Sequence, residues 1–325
     1  MTTDIHAHYV SPELVKLVSD GTFAPELQLK KNANTSSFSF PTYLTRPFFE
    51  KMTDVEKRIE HMHQLSIDKE VLSTWVDIYG YDLPRDVSKK YHSAINETLA
   101  AAVKQHPQRF AFVATVPLPW GEDSVAVLQD SVERLGAIGS MIGTNINGSN
   151  LDDPRFEPFW KASEELSAPV ILHPLNVAGK ERLRSYYLAN LIGNPFDTTI
   201  AATSLVFGGV LDRHPKLKVV LLHGGGYFPH GIGRIDHGFD VRPEAKTITQ
   251  KPSGYLQRFS YDTIVYDERI LDSLVRLVGR ELIVLGTDYP FDMEPKNVMG
   301  MTRSIFGENA GSILETNARK IFTRL

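Results

Sequence analysis

A single (β/α)8 barrel is the fold this sequence predicts, on three observations. Short apolar runs recur along the chain with amphipathic stretches between them, which is the rhythm of a parallel sheet with crossover helices. Eight such runs can be marked out. Histidines and an aspartate stand where several of those runs end, and barrel enzymes build their active sites at the ends of their strands.

The runs follow in order. The first surrounds Ile5, and the next are Lys69–Trp75 and Arg109–Val116. Ala137–Gly143, Ala168–His173 and Lys218–His223 come after them, and Arg258–Ile264 and Leu282–Gly286 complete the set. Their uneven spacing calls for loop insertions. Gly21–Glu50 has no clear periodicity and is rich in Asn, Ser, Thr and Pro. It reads as a long inserted loop with a short hairpin, a small unit at about 20–52; loops of this length in a compact domain are usually functional. Thr53-Asp54-Val55-Glu56 has the pattern of a capping box and leads into a helix with Val55, Ile59, Met62 and Leu65 at helical spacing. Asp153-Pro154 places an N-cap before a proline at the first helical position. Barrels of roughly 250 residues or more form one domain, so residues 1–325 are expected to be one domain.

Composition narrows the function. With 325 residues and 42% hydrophobic side chains, the chain can bury a large core without disulfides or a structural metal. It contains no cysteine. That excludes a disulfide scaffold, a thiolate nucleophile and any Cys-ligated metal. The net charge is −4 and no Lys/Arg run occurs, which argues against nucleic acid or an anionic membrane as the main partner. The opening MTTDIHAHYV lacks a basic and an apolar segment, and no stretch approaches the ~20 apolar residues of a membrane span. The cytoplasm is the expected location.

His6 and His8 are two apart on the first run, so on a strand both imidazoles face one side. VILHP puts His173 at the end of one run, VVLLHGGG puts His223 at the end of another, and LIVLGTDYPF does the same with Asp288. One divalent ion held by His6, His8, His173 and Asp288 is the resulting expectation. Three imidazoles and a carboxylate suit zinc; manganese, iron or cobalt fit the same shell. Zinc lowers the pKa of bound water to about 7. His223, followed by three glycines, stays outside the ligand set as general acid or base. The glycines are equally explained by a tight strand-to-helix turn.

Other residues carry weaker signals. Tyr186, Tyr187, Phe291 and Trp75 either wall an aromatic pocket or serve as packing. Asn176 reaches substrate or steadies its own loop. His61 and His63 fall on an amphipathic helix and are expected to face solvent. His92, His106 and His214 belong to helices or turns away from the mouth, while His230 and His237 lie near the mouth or an interface.

The motifs D-I-H-A-H-Y-V-S-P, VILHP, LLHGGG-x6-GRID and GTDYPF, in this order, resemble the amidohydrolase superfamily. They are most similar to its branch typified by aminocarboxymuconate-semialdehyde decarboxylase, which includes decarboxylases of hydroxybenzoates, carboxyvanillate, isoorotate and dihydroxypicolinate. The resemblance runs from Asp4 to the C-terminal NARKIF. It implies a barrel with one metal ion, usually zinc or manganese, on His6, His8, His173 and Asp288, with His223 as acid/base. AIGSMIGTN offers no lysine, so the carbamylated lysine that bridges two ions in other members is missing. Some members of the branch lack one or both histidines of HxH; this chain keeps both, as the muconate-semialdehyde type does.

Arg46 of LTRPF matches an active-site arginine of that type. Arg234 of GRID and Arg242 of DVRP match arginines near its dimer interface, one of which enters the neighbouring subunit's site. Guanidinium groups suit carboxylate recognition. Each is otherwise a surface arginine, and Arg234 is alternatively a brace for the helix after HGGG. The resemblance thus implies a homodimeric carboxy-lyase acting on a small aromatic or conjugated acid, bound by Arg46, Arg234, Arg242, Tyr187 and Phe291, with no organic cofactor. The alternative is a hydrolase or hydratase, of lactone or oxalomesaconate type, on the same ligands. A non-catalytic binding barrel is the third reading, disfavoured by the full ligand set.

Overall fold

The computed structural model describes residues 1–32 and 35–325. All eight apolar runs contribute a parallel strand. These are β1 (Thr3–Tyr9), β2 (Lys69–Thr74), β3 (Phe110–Phe112) and β4 (Ser140–Gly143), then β5 (Val170–His173), β6 (Val219–Leu221), β7 (Phe259–Asp262) and β8 (Ile283–Val284). Ladders join β1–β2–β3 and, separately, β4–β5–β6–β7–β8. Single parallel bridges close both gaps: Ala114 to Ser140, and Asp4 and Ala7 to Leu285 and Tyr289. The Ile5 amide donates to the Leu285 carbonyl at 2.9 Å across the last seam. The circle is complete, and the fold is a (β/α)8 barrel.

Most of the strands are buried from end to end, as expected where helices cover the outside and side chains fill the inside. Several are shorter than the runs that announced them. Leu282–Gly286 yields only Ile283–Val284, and Lys218–His223 only Val219–Leu221. Leu282 belongs to a 3-10 turn before β8 and Leu285 pairs with β1 only through a single bridge, while at the mouth His223 and Asp288 take φ of 55° and 62°, a left-handed backbone outside any ladder.

The helix Val55–Leu65 forms as expected, but its cap is Asp54, whose Oδ1 accepts from the Lys57 amide at 3.0 Å; Thr53 instead ends a preceding 3-10 turn. The aspartate sits one residue nearer the first helical turn, which moves the start by one position. Asp153 behaves as expected, accepting from the Arg155 amide at 2.9 Å to open a turn and the helix Glu157–Glu165. That helix buries Phe159 and Trp160 completely.

After β1 come a helix, Pro12–Ser19, and an antiparallel pair, Gln28–Asn32 with Thr35–Ser39. The hairpin in the inserted stretch is therefore real. Its return strand leads to Tyr43–Arg46, which form part of the wall above the barrel. No helix among the described residues is long and apolar enough to cross a membrane.

Candidate metal centre

Four side chains from three parts of the barrel converge at its mouth. His6 and His8 come from β1, His173 ends β5, and Asp288 lies just beyond β8. One ligand atom from each falls within 4.8 Å of the others, and all four residues are buried. The Nε2 atoms of His6 and His8 stand 3.4 and 3.3 Å from Asp288 Oδ1. Both nitrogens and that oxygen are otherwise without a hydrogen-bond partner. A buried polar atom left unpaired costs about 1–3 kcal/mol. Three such atoms aimed at one point are accounted for by a divalent cation, and the three-nitrogen, one-oxygen donor set suits zinc in a four- or five-coordinate site.

The other nitrogen of each imidazole is held from behind, which fixes which atom faces the centre. His6 Nδ1 meets Asp262 Oδ2 at 2.9 Å, and His173 Nδ1 meets the Pro174 carbonyl at 2.9 Å. His8 Nδ1 lies 3.4 Å from both the Thr74 carbonyl and Ser73 Oγ. Asp262 was not singled out in the sequence, although a carboxylate inside the apolar run RFSYDTI was a visible sign. Its second oxygen accepts from the Gly224 and Ile264 amides at 2.8 and 3.2 Å. One carboxylate thus ties the first ligand to the turn that carries His223.

The charges follow from this packing. Burial pushes His8, His173 and His223 below the usual imidazole range. At His6 burial acts the same way, but the Asp262 hydrogen bond and the nearby carboxylates outweigh it and raise its pKa. Burial would raise Asp288, yet His6 and His8 hold it below its ordinary value. The shifts at His8, His173 and Asp288 favour the neutral imidazole and the ionised carboxylate, the forms that bind a cation.

His223 opens a turn in which four successive residues have positive φ: 55°, 60°, 77° and 62° through Gly226. A Cβ at Gly224 would come 2.4 Å from Val265 Cγ1, and one at Gly226 2.0 Å from the Pro195 carbonyl oxygen. Only glycine fits, so the tight-turn explanation of HGGG holds and also serves the site. It sets the His223 ring 5.3 Å from that of His6 and 5.6 Å from that of His173. His223 is outside the four-ligand group, and its buried Nδ1 has no partner.

Arg58 braces the seam between β1 and β8. Fully buried on the helix Val55–Leu65, it donates to the His8 carbonyl and pairs with Glu70. Its guanidinium lies 5.3 Å from the Tyr9 ring and 4.7 Å from the Tyr289 ring, the residues that follow His8 and Asp288. His61 corrects the sequence reading. Rather than facing solvent, it lies tilted against Tyr289 with ring centroids 4.1 Å apart and meets Glu294 at 2.6 Å. That face of the helix packs on the loop after Asp288. His63 is exposed as expected.

A cavity of about 500 Å³ opens over His173 and Asp288, with Arg46, Trp75, Asn176, Tyr187 and Phe291 among its walls. A second lobe of about 280 Å³ includes His223, His230, Ile264, Tyr266 and Met293, and the two share Asn190, Asn194 and Asp288. Arg46 Nε bonds Asp77 Oδ2 at 3.0 Å, and its guanidinium sits 5.7 Å from the Trp75 ring. The Phe291 ring lies 5.3 Å from that of His8. Arg234 and Arg242 are exposed and line neither lobe; Arg242 pairs with Glu244 at 2.5 Å. Tyr186 and His237 are exposed and line neither lobe. His92 and His214 are buried in helix packing, the latter 2.8 Å from Glu157.

The comparisons agree with this geometry. The family model described as amidohydrolase matches residues 3–324. The 2-amino-3-carboxymuconate-6-semialdehyde decarboxylase of Dictyostelium discoideum is 39% identical over 242 residues, covering 74% of this chain and 67% of that protein. Two crystal structures share the fold at low identity. The 5-carboxyvanillate decarboxylase of Sphingomonas paucimobilis superposes with a TM-score of 0.83 at 20% identity, covering 99% of this chain and 98% of that one. The dihydroxybenzoic acid decarboxylase of Polaromonas sp. JS666, which holds manganese and 2-nitroresorcinol, gives 0.78 at 21% identity, covering 99% and 97%. The chain belongs to the amidohydrolase family, in its branch of metal-dependent decarboxylases.

Proposed function

We propose that the protein is a carboxy-lyase that releases carbon dioxide, without oxidation, from a small aromatic or conjugated carboxylic acid. One observation carries this reading: the ligands His173 and Asp288 open with Arg46 onto one lobe, His223 opens onto the other, and the lobes meet at Asp288. An acid anchor and a proton carrier therefore flank the same point.

His6, His8, His173 and Asp288 would hold a divalent ion, which would supply Lewis acidity to the site. Zinc is favoured by the donor set, with manganese as the alternative. Arg46 receives a carboxylate, and Tyr187, Phe291 and Trp75 offer flat apolar walls to a planar substrate. Burial keeps His223 neutral, so it can take a proton and pass it on. The proton goes to the carbon that bears the carboxylate. The bond to the carboxylate carbon then breaks, its electron pair returns to the conjugated system, and carbon dioxide leaves. Each turnover consumes one proton, and the conjugated substrate serves as its own electron acceptor, so no organic cofactor is required.

The aminocarboxymuconate-semialdehyde type is favoured among substrates by both histidines of β1 and by the relative from Dictyostelium discoideum; hydroxybenzoate and hydroxypicolinate types are the others. That this relative and both structural neighbours named above are decarboxylases favours carbon dioxide release over hydrolysis or hydration. We also propose a homodimer in which Arg234 or Arg242 serves the neighbouring site. Support comes from their exposure and from the helix Ile232–Val241, which starts two residues after His230 on the wall of the second lobe.

The test is a panel of these acids with metal-loaded protein, followed for carbon dioxide. At least one should lose its carboxyl group, and elemental analysis should find about one divalent ion per chain. Hydrolysed or hydrated products without carbon dioxide would overturn the reading.

A further inference from the structure

The cavity over His173 and Asp288 holds a contradiction of charge. It is to admit an acid, yet Asp77 lines it together with Arg46. A carboxylate in such a wall repels the anion it faces. An exposed ion pair adds little to stability, so stability does not explain an aspartate at this position.

Local structure shows what Asp77 does there. It belongs to the 3-10 turn Val76–Ile78, which follows β2. The inserted stretch after β1 is fastened to this turn and to the residues beyond it. Tyr43 donates its hydroxyl to the Asp77 carbonyl at 3.1 Å, and Thr42 donates its amide to Asp82 Oδ2 at 2.9 Å. A Cβ at Gly80 would come 2.7 Å from the Phe40 ring, so the two segments approach closely. Arg46 extends from this wall with 59% of its side chain exposed, and a long side chain so placed has many rotamers open to it. Two contacts restrict it. Its Nε donates to Asp77 Oδ2 at 3.0 Å, and its guanidinium lies 5.7 Å from the ring of the buried Trp75.

The side of the bond matters. Asp77 takes Nε and leaves the two terminal nitrogens uncommitted to it. Those nitrogens form an edge that meets a carboxylate with two parallel hydrogen bonds. An aspartate on that edge would compete with the substrate, whereas one on Nε aims the edge. We propose that Asp77 is a positioning residue: it holds Arg46 by Nε and keeps the terminal edge of the guanidinium presented to a substrate carboxylate. Rotamers fixed before binding are not lost on binding, and this gain outweighs the repulsion that Asp77 adds. The inference rests on the decarboxylase reading only for the presence of a carboxylate in the cavity.

Fluorine NMR titration of the metal-loaded protein with 5-fluoroisophthalate and its monoamide tests it. The diacid has one carboxylate for the metal and one for Arg46, and the monoamide lacks the second charge. Neither bears a ring hydroxyl to support protonation and loss of carbon dioxide. Preordering one long side chain is worth about tenfold in affinity, so Asp77→Ala should weaken the diacid about tenfold and leave the monoamide unchanged. Asp77→Asn keeps an acceptor for Nε and should restore most of the loss. In an Arg46→Gln background Asp77→Ala should change nothing, which a merely structural role would not give. With an acid that is turned over, the loss should appear in KM and not in kcat. Tighter binding of the diacid by Asp77→Ala would make Asp77 a competitor for Arg46 and overturn the inference. Equal losses for both probes, a loss that persists without Arg46, or no binding of the diacid to the unaltered protein would overturn it too. A selective loss of the diacid, in a protein that releases no carbon dioxide from any acid, would uphold it and overturn the decarboxylase reading.

Discussion

Asp262 stands outside the four-ligand group, yet it grips His6 from behind and the His223 turn at the same time. Carboxylates that orient a metal-bound histidine typically contribute 10- to 100-fold in metal affinity, so Asp262→Asn should weaken binding by about that factor. Competition with a chelator measures it, and an unchanged affinity would show that His6 is oriented without it. Arg58 is the second such residue. Removing one partner of a buried ion pair typically costs about 3–5 kcal/mol, so Arg58→Met should lose stability of that order in urea; a loss under about 1 kcal/mol would mean Glu70 finds another partner. The candidate ligands were legible because His173 and Asp288 close apolar runs and His6 and His8 alternate on the first one. Asp262 and Arg58 were not, because their work is done with residues 256 and 50 positions away. His61 misled for a related reason: helical periodicity says which face is polar, not what packs on it.

At the scale of elements, the turn from His223 to Gly226 is the part least open to change. A Cβ at Gly226 meets backbone rather than a movable side chain, and its φ is left-handed. Gly226→Ala should therefore cost about 2 kcal/mol or more, read from the denaturant midpoint; a shift below about 0.5 kcal/mol would contradict the steric account. The helix Arg85–Gln105 makes a different prediction. Burial pushes its His92 down to about 4, only partly opposed by the Ser88 carbonyl at 2.8 Å. The unfolded chain takes up that proton near 6.5. Because the folded pKa is the lower one, stability is fully present above pH 6.5 and declines as pH falls toward 4, by about 3 kcal/mol. His92→Leu should flatten this window, and an unchanged slope would assign the acid sensitivity elsewhere. The eight barrel strands and the helix Val55–Leu65 were readable from the sequence pattern, while the helix Pro12–Ser19 was not anticipated. Boundaries were less readable, since a 3-10 turn takes the start of the last run and His223 leaves the strand conformation just past β6.

The whole molecule is a ring whose two seams are isolated bridges, and one of them, between β1 and β8, joins two segments that carry metal ligands. Eight separated runs were enough to predict the ring, because a parallel sheet of eight with alternating helices closes naturally. What lay beyond a single chain's sequence is the use of Arg234 and Arg242, which face outward. If they serve a neighbouring site, inactive Arg234→Ala and inactive His173→Ala proteins should regain part of the turnover when mixed, by forming dimers with one intact site. No recovery under conditions where subunits exchange would contradict the shared site. The most direct test of the central claim is to titrate metal into metal-free protein and follow labelled carbon dioxide from a carboxyl-labelled acid. Release should rise to saturation at about one ion per chain and be absent in His173→Ala. Release that ignores the metal, or label retained in a hydrolysed product, would contradict it.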